Sequence, residues 1–565
     1  MRTKLKSKLS ALLCAAILAS MLASCGEGGS SQSESSAASG GDSGSSVSAD
    51  LGDSGYPEYL NPVGELPIVK ESITLTAFAP NNGCNNDWSY GENEFSTWLI
   101  DQTGINLDIT LTSDVDAKEK LSLMITGGEY PDILFSSGLT LSEQQIYGTQ
   151  GLLLPLNDLI EQYAPNAQAM FEAYPLAQQS FTLNDGNMYD LPSVNECYHC
   201  GMTQKMWVYR PWLEQLGGEA PATTEEFYQY LKSVQSTDLN GNGENDEIPL
   251  AGSPKGWDTN MEGFLMQPFA YTETYVENGT VKMPYAEEGW REGLRYLNKL
   301  YTEGLMAPES LIQDDTQLKQ MASMPEHVLA CSPGGYQGSI TSVTDFQNWV
   351  ALAPLEGPSG RQQTRYNPYS DYYSSFSITD KCQYPEAAIR LADFMLTEEA
   401  TLRNVQGVKD REWRYLTEEV PSIDGNTATW EVLTVDANDV PPESYWNQKG
   451  PTLRPSSLRL GIPVTENSYS EVSLYEESRD KYEPYLQPTD TIFPSNMLAY
   501  DEAQAAEVAT TEAPFNEYVK EMTAKFISGE LSIDSDWDSY VNDLEKMGMS
   551  TLLSLYQAAY DAKFK

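Results

Sequence analysis

Apolar residues in the early part of the chain recur with two periods, one typical of strands and one of helices. Residues 73–78 (ITLTAF) have the composition of a strand, and residues 105–111 alternate apolar and polar side chains, which predicts a second strand. Residues 92–102 and 116–125 have helical spacing, and each segment is followed shortly by glycine, which favours a helix end. The short apolar run 132–135 predicts a buried strand. This βαβαβ order indicates a lobe with a largely parallel sheet.

A second strand and helix rhythm starts near residue 202. Its predicted strands are 205–210, 248–251 and 327–331, and its predicted helices are 211–216, 223–236 and 287–301. Residues from about 499 to 564 have helical character almost throughout. The pattern therefore predicts an α/β protein with two lobes, a cleft between them and a helical C-terminal part.

The first 25 residues have a different pattern, in which basic residues precede a single apolar run. The apolar residues 9–22 are too few to form a stable membrane anchor. The last of them begins the sequence Leu22-Ala23-Ser24-Cys25, which is typical of a bacterial lipobox. The alternative is an ordinary secretory signal in which the cysteine occurs by chance. We expect residues 1–24 to be removed and Cys25 to be lipidated. Residues 25–55, rich in serine and glycine, are expected to form a flexible tether.

Charge and cysteine content narrow the classes of partner. The 565 residues include 34 basic and 82 acidic side chains, so repulsion from phosphate argues against a nucleic-acid partner. A content of 40% hydrophobic residues is typical of a globular protein.

Cys197 and Cys200 form an isolated CxxC, which predicts either a local disulfide or two plain thiols. A zinc site would need a second pair of ligands, and the chain has only two histidines.

The segment from Asp238 to Glu247 has the oxygen spacing of a calcium-binding loop. Oxygen-bearing side chains stand at loop positions 1, 3 and 5, and glycine stands at position 6, as in the start of an EF-hand. Position 12 is Pro249, so the usual closing glutamate is missing, and two later carboxylates are expected to replace it. The alternative is a turn without metal. The expected ligands of one structural Ca²⁺ are Asp238, Asn240, Asn242, Glu244, Asp246 and Glu247.

Aromatic residues occur repeatedly in predicted loops, beside short polar residues. Sugar rings have apolar C–H faces that stack on aromatic side chains, and ligands of open α/β sheets bind at such loops. The alternative for each aromatic residue is a place in the core. Trp88 is expected from the first lobe and the other three aromatic residues from the second. The expected ligand-binding residues are Asp87, Trp88, Trp257, Tyr336, Trp446 and Asn447.

Three stretches resemble a known family of proteins. They are residues 127–133 (GGEYPDI), residues 207–217 (WVYRPWLEQLG) and the C-terminal stretch that begins at 525–530 (KFISGE). With the lipobox, the tether and the Asp238 loop, they resemble extracellular solute-binding lipoproteins of carbohydrate ABC transporters, in the long branch of Firmicutes related to alginate-oligosaccharide-binding proteins. In such relatives the loop matching Asp238–Glu247 binds calcium, which supports the predicted site.

The resemblance implies a type II periplasmic-binding-protein fold with two discontinuous lobes that close on a ligand. We place the first lobe at residues 56–191 and 373–405, and the second at residues 192–372 and 406–565. The implied function is capture of an oligosaccharide for an ABC permease, by a monomer held to the extracellular face of the cell membrane through its lipid alone. The sequence offers few candidate catalytic groups, so no enzyme is expected. The alternatives are an extracellular glycan-active enzyme, or a binder of a non-sugar solute such as a peptide.

Overall fold

A computed structural model describes residues 57–81, 87–113, 116–434 and 440–565. The predicted signal segment 1–24, the lipidation site Cys25 and the tether lie outside these residues. Within the described ranges, no helix combines the length and the apolar character needed to cross a membrane. The folded body begins at a bridge near Leu60, which pairs with Val69 ahead of the first strand.

Fourteen strands are described, and ten of them build two main sheets. The strands are β1 (Ile73–Asn81), β2 (Ile105–Ser113), β3 (Ile133–Phe135), β4 (Leu191–Asn195), β5 (Met206–Tyr209), β6 (Ile248–Leu250), β7 (Tyr275–Glu277), β8 (Thr280–Lys282), β9 (Leu329–Pro333), β10 (Trp349–Leu352), β11 (Tyr372–Ile378), β12 (Trp413–Tyr415), β13 (Trp430–Val432) and β14 (Leu453–Arg454).

Eighteen α-helices are described around these sheets. They are α1 (Glu94–Thr103), α2 (Ala117–Gly127), α3 (Leu141–Thr149), α4 (Asn157–Tyr163), α5 (Pro165–Ala173), α6 (Pro175–Phe181), α7 (Arg210–Gln215), α8 (Thr224–Gln235), α9 (Met261–Leu265), α10 (Glu288–Thr302), α11 (Asp315–Ala322), α12 (Pro385–Met395), α13 (Glu398–Gln406), α14 (Ser456–Arg459), α15 (Tyr469–Lys481), α16 (Glu502–Ser528), α17 (Trp537–Lys546) and α18 (Met549–Phe564).

The first sheet has six strands in the order β14-β4-β11-β3-β1-β2. The expected strand–helix–strand units are confirmed, because β1 pairs in parallel with both β2 and β3, and α1 and α2 connect them. β11 runs antiparallel between β3 and β4. The central residues Phe78, Leu134 and Phe376 are fully or almost fully buried, as expected for strands covered on both faces.

The second sheet has four strands in the order β10-β5-β9-β6 and is formed entirely within residues 206–352. Its core also contains side chains of α8, α10 and the C-terminal helices α16 to α18. α8 shows why the local sequence forms a helix. Thr223 and Glu226 make a reciprocal capping box at its start, and its buried face includes Phe227 and Leu231. The predicted helical C-terminal part is therefore confirmed as three helices.

Residues 446–454 correct the expected lobe assignment. β14 pairs with β4 of the first sheet, and the Gly450 amide donates to Ser136 Oγ at 2.9 Å. The ring of Trp446 packs in the core beside the same sheet. The expectation that all of 406–565 belongs to the second lobe is therefore wrong for this segment. Pairing across such a long sequence separation leaves no local pattern.

Candidate ligand-binding site

The chain passes between the two sheets at neighbouring places. β4 of the first sheet ends at Asn195, and the chain reaches the second sheet at β5. β10 of the second sheet is followed by residues 353–371, which lead back to β11 of the first sheet. The Asn195 amide donates to the Asp371 carbonyl at 2.8 Å, so the outgoing and returning segments run side by side. Paired crossing segments are the arrangement that a hinge between two lobes requires.

A cavity of about 480 Å³ lies beside these crossings. One part of its wall comes from α11 and the loop after β9, which belong to the second lobe. Another part comes from the end of α13, from β13 and β14, and from residues 459–471. The lining residues are Lys319, Tyr336, Gly338, Thr341, Ser342, Phe346, Gln406, Trp430, Val432, Thr434, Arg454, Arg459, Ile462, Asn467, Ser468, Ser470 and Glu471.

The structure brings two of the predicted aromatic residues together, and one of them, Tyr336, lines this cavity. The rings of Trp257 and Tyr336 are 5.6 Å apart, and Tyr336 also makes an edge contact with Phe346 at 6.3 Å. Trp257 is 44% exposed, so a face of its indole remains open. The Gly335 amide donates to the Trp257 carbonyl at 3.0 Å, and a Cβ at Gly335 would lie only 2.7 Å from the indole. Glycine at this position therefore allows the two aromatic loops to approach.

The other two predicted tryptophans lie in the core of the first lobe. Trp88 and Trp446 stack on each other with ring centroids 4.7 Å apart, and they are 1% and 0% exposed. Phe95 contacts the Trp446 ring edge-on, and Trp446 Nε1 donates to Ser96 Oγ at 2.9 Å. Neither indole offers an open face to a sugar in this conformation. The expected position of Trp446 in the second lobe is wrong, because its ring fills space beside α1.

The polar neighbours of these two tryptophans take part in backbone turns. Asp87 Oδ1 accepts a hydrogen bond from the Ser89 amide at 2.9 Å. Hydrogen bonding to the Ser89 side chain and, after it, to this amide holds the pKa of the exposed Asp87 carboxyl below its usual value. Asn447 has a φ of 48°, and Gln448 has a φ of 70°, so the chain turns sharply after Trp446. Both predicted polar residues therefore belong to the chain turns that position the stacked tryptophans.

Sequence reasoning missed the two arginines that line the cavity. Arg454 Nη1 donates to Gln448 Oε1 at 2.8 Å. Arg459 forms an ion pair with Glu471 at 2.9 Å and donates to Asn195 Oδ1 at 2.9 Å. Burial and, after it, the charge of Arg459 lower the pKa of the Arg454 guanidinium. Arg454 ends the two-residue strand β14 and Arg459 ends the four-residue helix α14, and elements this short show neither a hydrophobic period nor a motif.

The segment between β4 and β5 contains a disulfide and a buried lysine. Cys197 and Cys200 form the disulfide, which decides between the two alternatives left open by the sequence. Lys205 is completely buried and donates through Nζ to the carbonyl groups of His199 and Met202. Burial lowers the pKa of Lys205 to about 7, and it lowers that of His199 well below its usual value. These contacts fix the conformation of the outgoing crossing segment.

The predicted calcium loop is closed by hydrogen bonds to its own acidic side chains. Asp238 accepts from the amides of Gly241 and Gly243 at 2.7 and 2.9 Å. The side-chain amides of Asn240 and Asn242 donate to Asp246 at 3.1 Å. The strand predicted to follow the loop, in place of the second helix of an EF-hand, is confirmed as β6. The loop therefore has the sharp turn and the clustered oxygens that its sequence predicts.

The charge and hydrogen bonding of this loop fit a hard cation. Glu247 is 7% exposed, and its Oε1 accepts from the amides of Leu239 and Asn240. Among the described residues, its buried Oε2 has no hydrogen-bond partner. The donor set is made of carboxylate and amide oxygens, which Ca²⁺ prefers. Among the described residues, no three carboxylates of this loop already lie close enough to one another to share an ion.

Comparison with known proteins places the chain among binding proteins. The family model for bacterial extracellular solute-binding protein matches residues 98–402. The fructooligosaccharide ABC transporter substrate-binding protein FusA of Streptococcus pneumoniae is 24% identical over 486 residues, which cover 82% of this chain and 86% of FusA. The polygalacturonan/rhamnogalacturonan-binding protein YtcQ of Bacillus subtilis is 19% identical over 475 residues, with 81% and 86% covered. These relatives are binding proteins rather than enzymes.

Solved structures confirm the expected two-lobed fold. FusA in complex with kestose superposes with a TM-score of 0.73 at 22% identity, covering 86% of this chain and 99% of that chain. An EF-hand mutant of FusA superposes with a TM-score of 0.72 at the same identity and coverage. The alginate-binding protein AlgQ2 without calcium ion superposes with a TM-score of 0.65 at 20% identity, covering 87% of this chain and 99% of that chain. The structural neighbours thus include an EF-hand mutant and a form without calcium.

Proposed function

Because the chain belongs to the family of bacterial extracellular solute-binding proteins, we propose that it captures an oligosaccharide and delivers it to the permease of an ABC importer. The names of FusA, YtcQ and AlgQ2 refer to oligosaccharide or polysaccharide ligands, which supports a sugar over a peptide. The same relatives support binding without catalysis.

The observation that carries this proposal is the cavity between the lobes. Its volume of about 480 Å³ is in the range of small-ligand sites. Tyr336 lines it, and the half-exposed indole of Trp257 lies beside Tyr336, so two aromatic faces are available to sugar rings. Gln406, Asn467 and Ser470 in the wall supply donors and acceptors for hydroxyl groups.

Closure of the lobes would complete the site. We assign the hinge to the paired crossing segments at Asn195 and Asp371, which lie next to the cavity. A ligand that contacts both walls favours the closed form, because it binds that form more tightly than the open one. The permease would then distinguish the closed, loaded protein from the open one.

The place of action follows from the N-terminal segment. We propose that cleavage before Cys25 and lipidation of its thiol hold a monomer at the extracellular face of the cell membrane. Two or three acyl chains give stable anchoring, since each buried CH₂ contributes about 0.8 kcal/mol. The tether 25–55 separates the folded body from the bilayer, and the lipid is the membrane contact.

We also propose that the Asp238 loop holds one Ca²⁺ in a structural role. The buried Glu247 Oε2 and the acidic side chains around it would be neutralised by the cation. The structural neighbours described as an EF-hand mutant and as a form without calcium ion support this assignment. The ligands would be the side chains of Asp238, Asn240, Asn242, Asp246 and Glu247 and the carbonyl of Glu244.

Calorimetry with a panel of oligosaccharides that includes kestose tests the proposed function. We expect one sugar class to bind, and Trp257→Ala and Tyr336→Ala each to weaken it about tenfold or more, because each removes an aromatic stacking face. Tyr90→Ala is the matched control, since Tyr90 is 58% exposed and does not line the cavity. Absence of binding to every sugar, or release of shortened sugar products, would contradict the proposal.

A further inference from the structure

The cavity has a charge opposite to that of the whole protein. The chain has 82 acidic and 34 basic residues, with a formal net charge of -48. Among the described residues that line the cavity, Lys319, Arg454 and Arg459 are nevertheless basic and Glu471 alone is acidic. A nearby smaller cavity shows the usual balance, because Glu196, Asp371 and Glu483 line it. The positive wall between the lobes is therefore a local exception.

Glu471 does not neutralise both arginines. Its two carboxylate oxygens accept from Arg459 Nη2 at 2.9 and 3.1 Å, and Arg459 is held from the other side by Asn195 Oδ1. The side chains of Arg459 and Glu471 are 10% and 25% exposed, so the pair is largely shielded from solvent. Glu471 also acts on Arg454 at longer range, but its ion pair is with Arg459, so among the described residues Arg454 has no ion-pair partner of its own.

Arg454 is held in place without using most of its hydrogen-bonding capacity. Its contact in the described structure is the bond from Nη1 to the neutral Gln448 Oε1, although a guanidinium has five N–H donors. No carboxylate of the described residues lies within ion-pair distance of it. The Gln448 amide is itself fixed by Asn404 Oδ1 at 3.2 Å. In so acidic a protein, an arginine in a cavity wall without a carboxylate partner indicates that the partner comes from outside.

We infer that Arg454 binds an anionic group of the sugar, a uronate carboxylate or a sulfate ester, so that the ligand is an acidic oligosaccharide. A guanidinium matches the planar geometry of a carboxylate through two parallel N–H bonds. The sugar rings would lie against Tyr336 and Trp257 while the acidic group reaches Arg454. This inference rests on the proposed function, because it specifies the ligand of the same cavity.

Matched pairs of sugars test the inference by calorimetry. The pairs are trigalacturonate with its methyl ester and lactose 3′-sulfate with lactose, and kestose serves as an unrelated neutral sugar. We expect an acidic member to bind at least about tenfold more tightly than its neutral counterpart, as is usual for a charge-assisted hydrogen bond. Whichever pair shows the difference identifies carboxylate or sulfate as the group. Added salt is expected to weaken binding of the acidic sugar and to leave binding of the neutral sugar unchanged.

Substitutions at Arg454 connect the difference to this residue. Arg454→Gln is expected to remove the preference for the acidic sugar and to keep the affinity for its neutral partner. Arg454→Lys should retain part of the preference for the acidic sugar, because lysine keeps the charge and loses the planar arrangement of N–H donors. Arg414→Gln is the control, since Arg414 is 57% exposed, pairs with Glu431 and lies outside the cavity wall. Melting temperatures without sugar verify that each variant folds.

The outcomes separate this inference from the proposed function. Tight binding of a neutral sugar, with no gain from an acidic group and no salt dependence, would overturn the inference and leave the proposed function standing. Binding of no sugar at all would refute both. If Arg454→Gln does not fold, the salt dependence and the matched pairs on the unmodified protein still decide the matter.

Discussion

Replacing Trp446 by alanine distinguishes a core residue from a ligand contact. The Trp446 side chain is completely buried, and its ring contacts Trp88 at 4.7 Å and Phe135 at 5.3 Å. Truncating a buried tryptophan to alanine costs about 3–5 kcal/mol, and the lost hydrogen bond to Ser96 adds about 1 kcal/mol. We therefore expect Trp446→Ala to lower the free energy of unfolding by at least about 4 kcal/mol.

Urea unfolding followed by tryptophan fluorescence measures this loss. With a denaturant slope of about 3 kcal/mol/M, the unfolding midpoint should fall by more than about 1 M. Trp257→Ala is the comparison variant, because Trp257 is 44% exposed and its removal should cost less than about 1 kcal/mol. A Trp446→Ala variant with the midpoint of the unmodified protein and a lost sugar affinity would refute the reasoning, since the indole would then contact ligand.

Two further predictions concern the calcium loop and Lys205. Chelation by EDTA should lower the melting temperature, and Glu247→Gln should reduce the response to added Ca²⁺, whereas an unchanged melting temperature would mean that the loop binds no metal. Burial lowers the pKa of Lys205 to about 7 from its ordinary 10.5, against the opposing charges of Asp258 and Glu477. The unfolded chain binds the extra proton between these values, so stability should rise with pH across that window by up to about 1.4 kcal/mol per unit. Lys205→Met should lose this slope, and equal slopes in denaturant titrations of both proteins would contradict the assignment.

Local periodicity is sufficient to predict much of the fold. β1, α1, β2 and α2 follow from the residues of 73–127 alone, because the strand and helix segments differ in their apolar spacing and the helices end at glycine. The Asp238 loop is equally local, since its oxygens and glycines are spaced by the turn itself. Such elements are determined by residues close together in the sequence, so one sequence is enough to predict them.

Contacts between distant segments could not be predicted in the same way. Trp446 Nε1 bonds to Ser96, and nothing in the residues around 446 distinguishes a core tryptophan from a stacking one. The role proposed for Arg454 depends on its contact with Gln448 and on the pairing of Glu471 with Arg459. Both are properties of the assembled cavity. The assignment of Trp257 and Tyr336 as ligand contacts stays a prediction, because the sequence marks them only as aromatic residues in predicted loops.

The strand order of the first sheet has a consequence for how the chain acquires its structure during synthesis and export. β4 joins β3, β1 and β2 only through β11, which lies between them. β11 follows all four strands of the second sheet in the chain, so the second sheet can close while the first is still in two pieces. The first lobe, whose strands begin earlier in the chain, is therefore completed after the second. The β3 edge of its sheet stays unpaired until β11 has been synthesised and exported. Pairing over so long a separation is slow, because the loop must close before the contacts form.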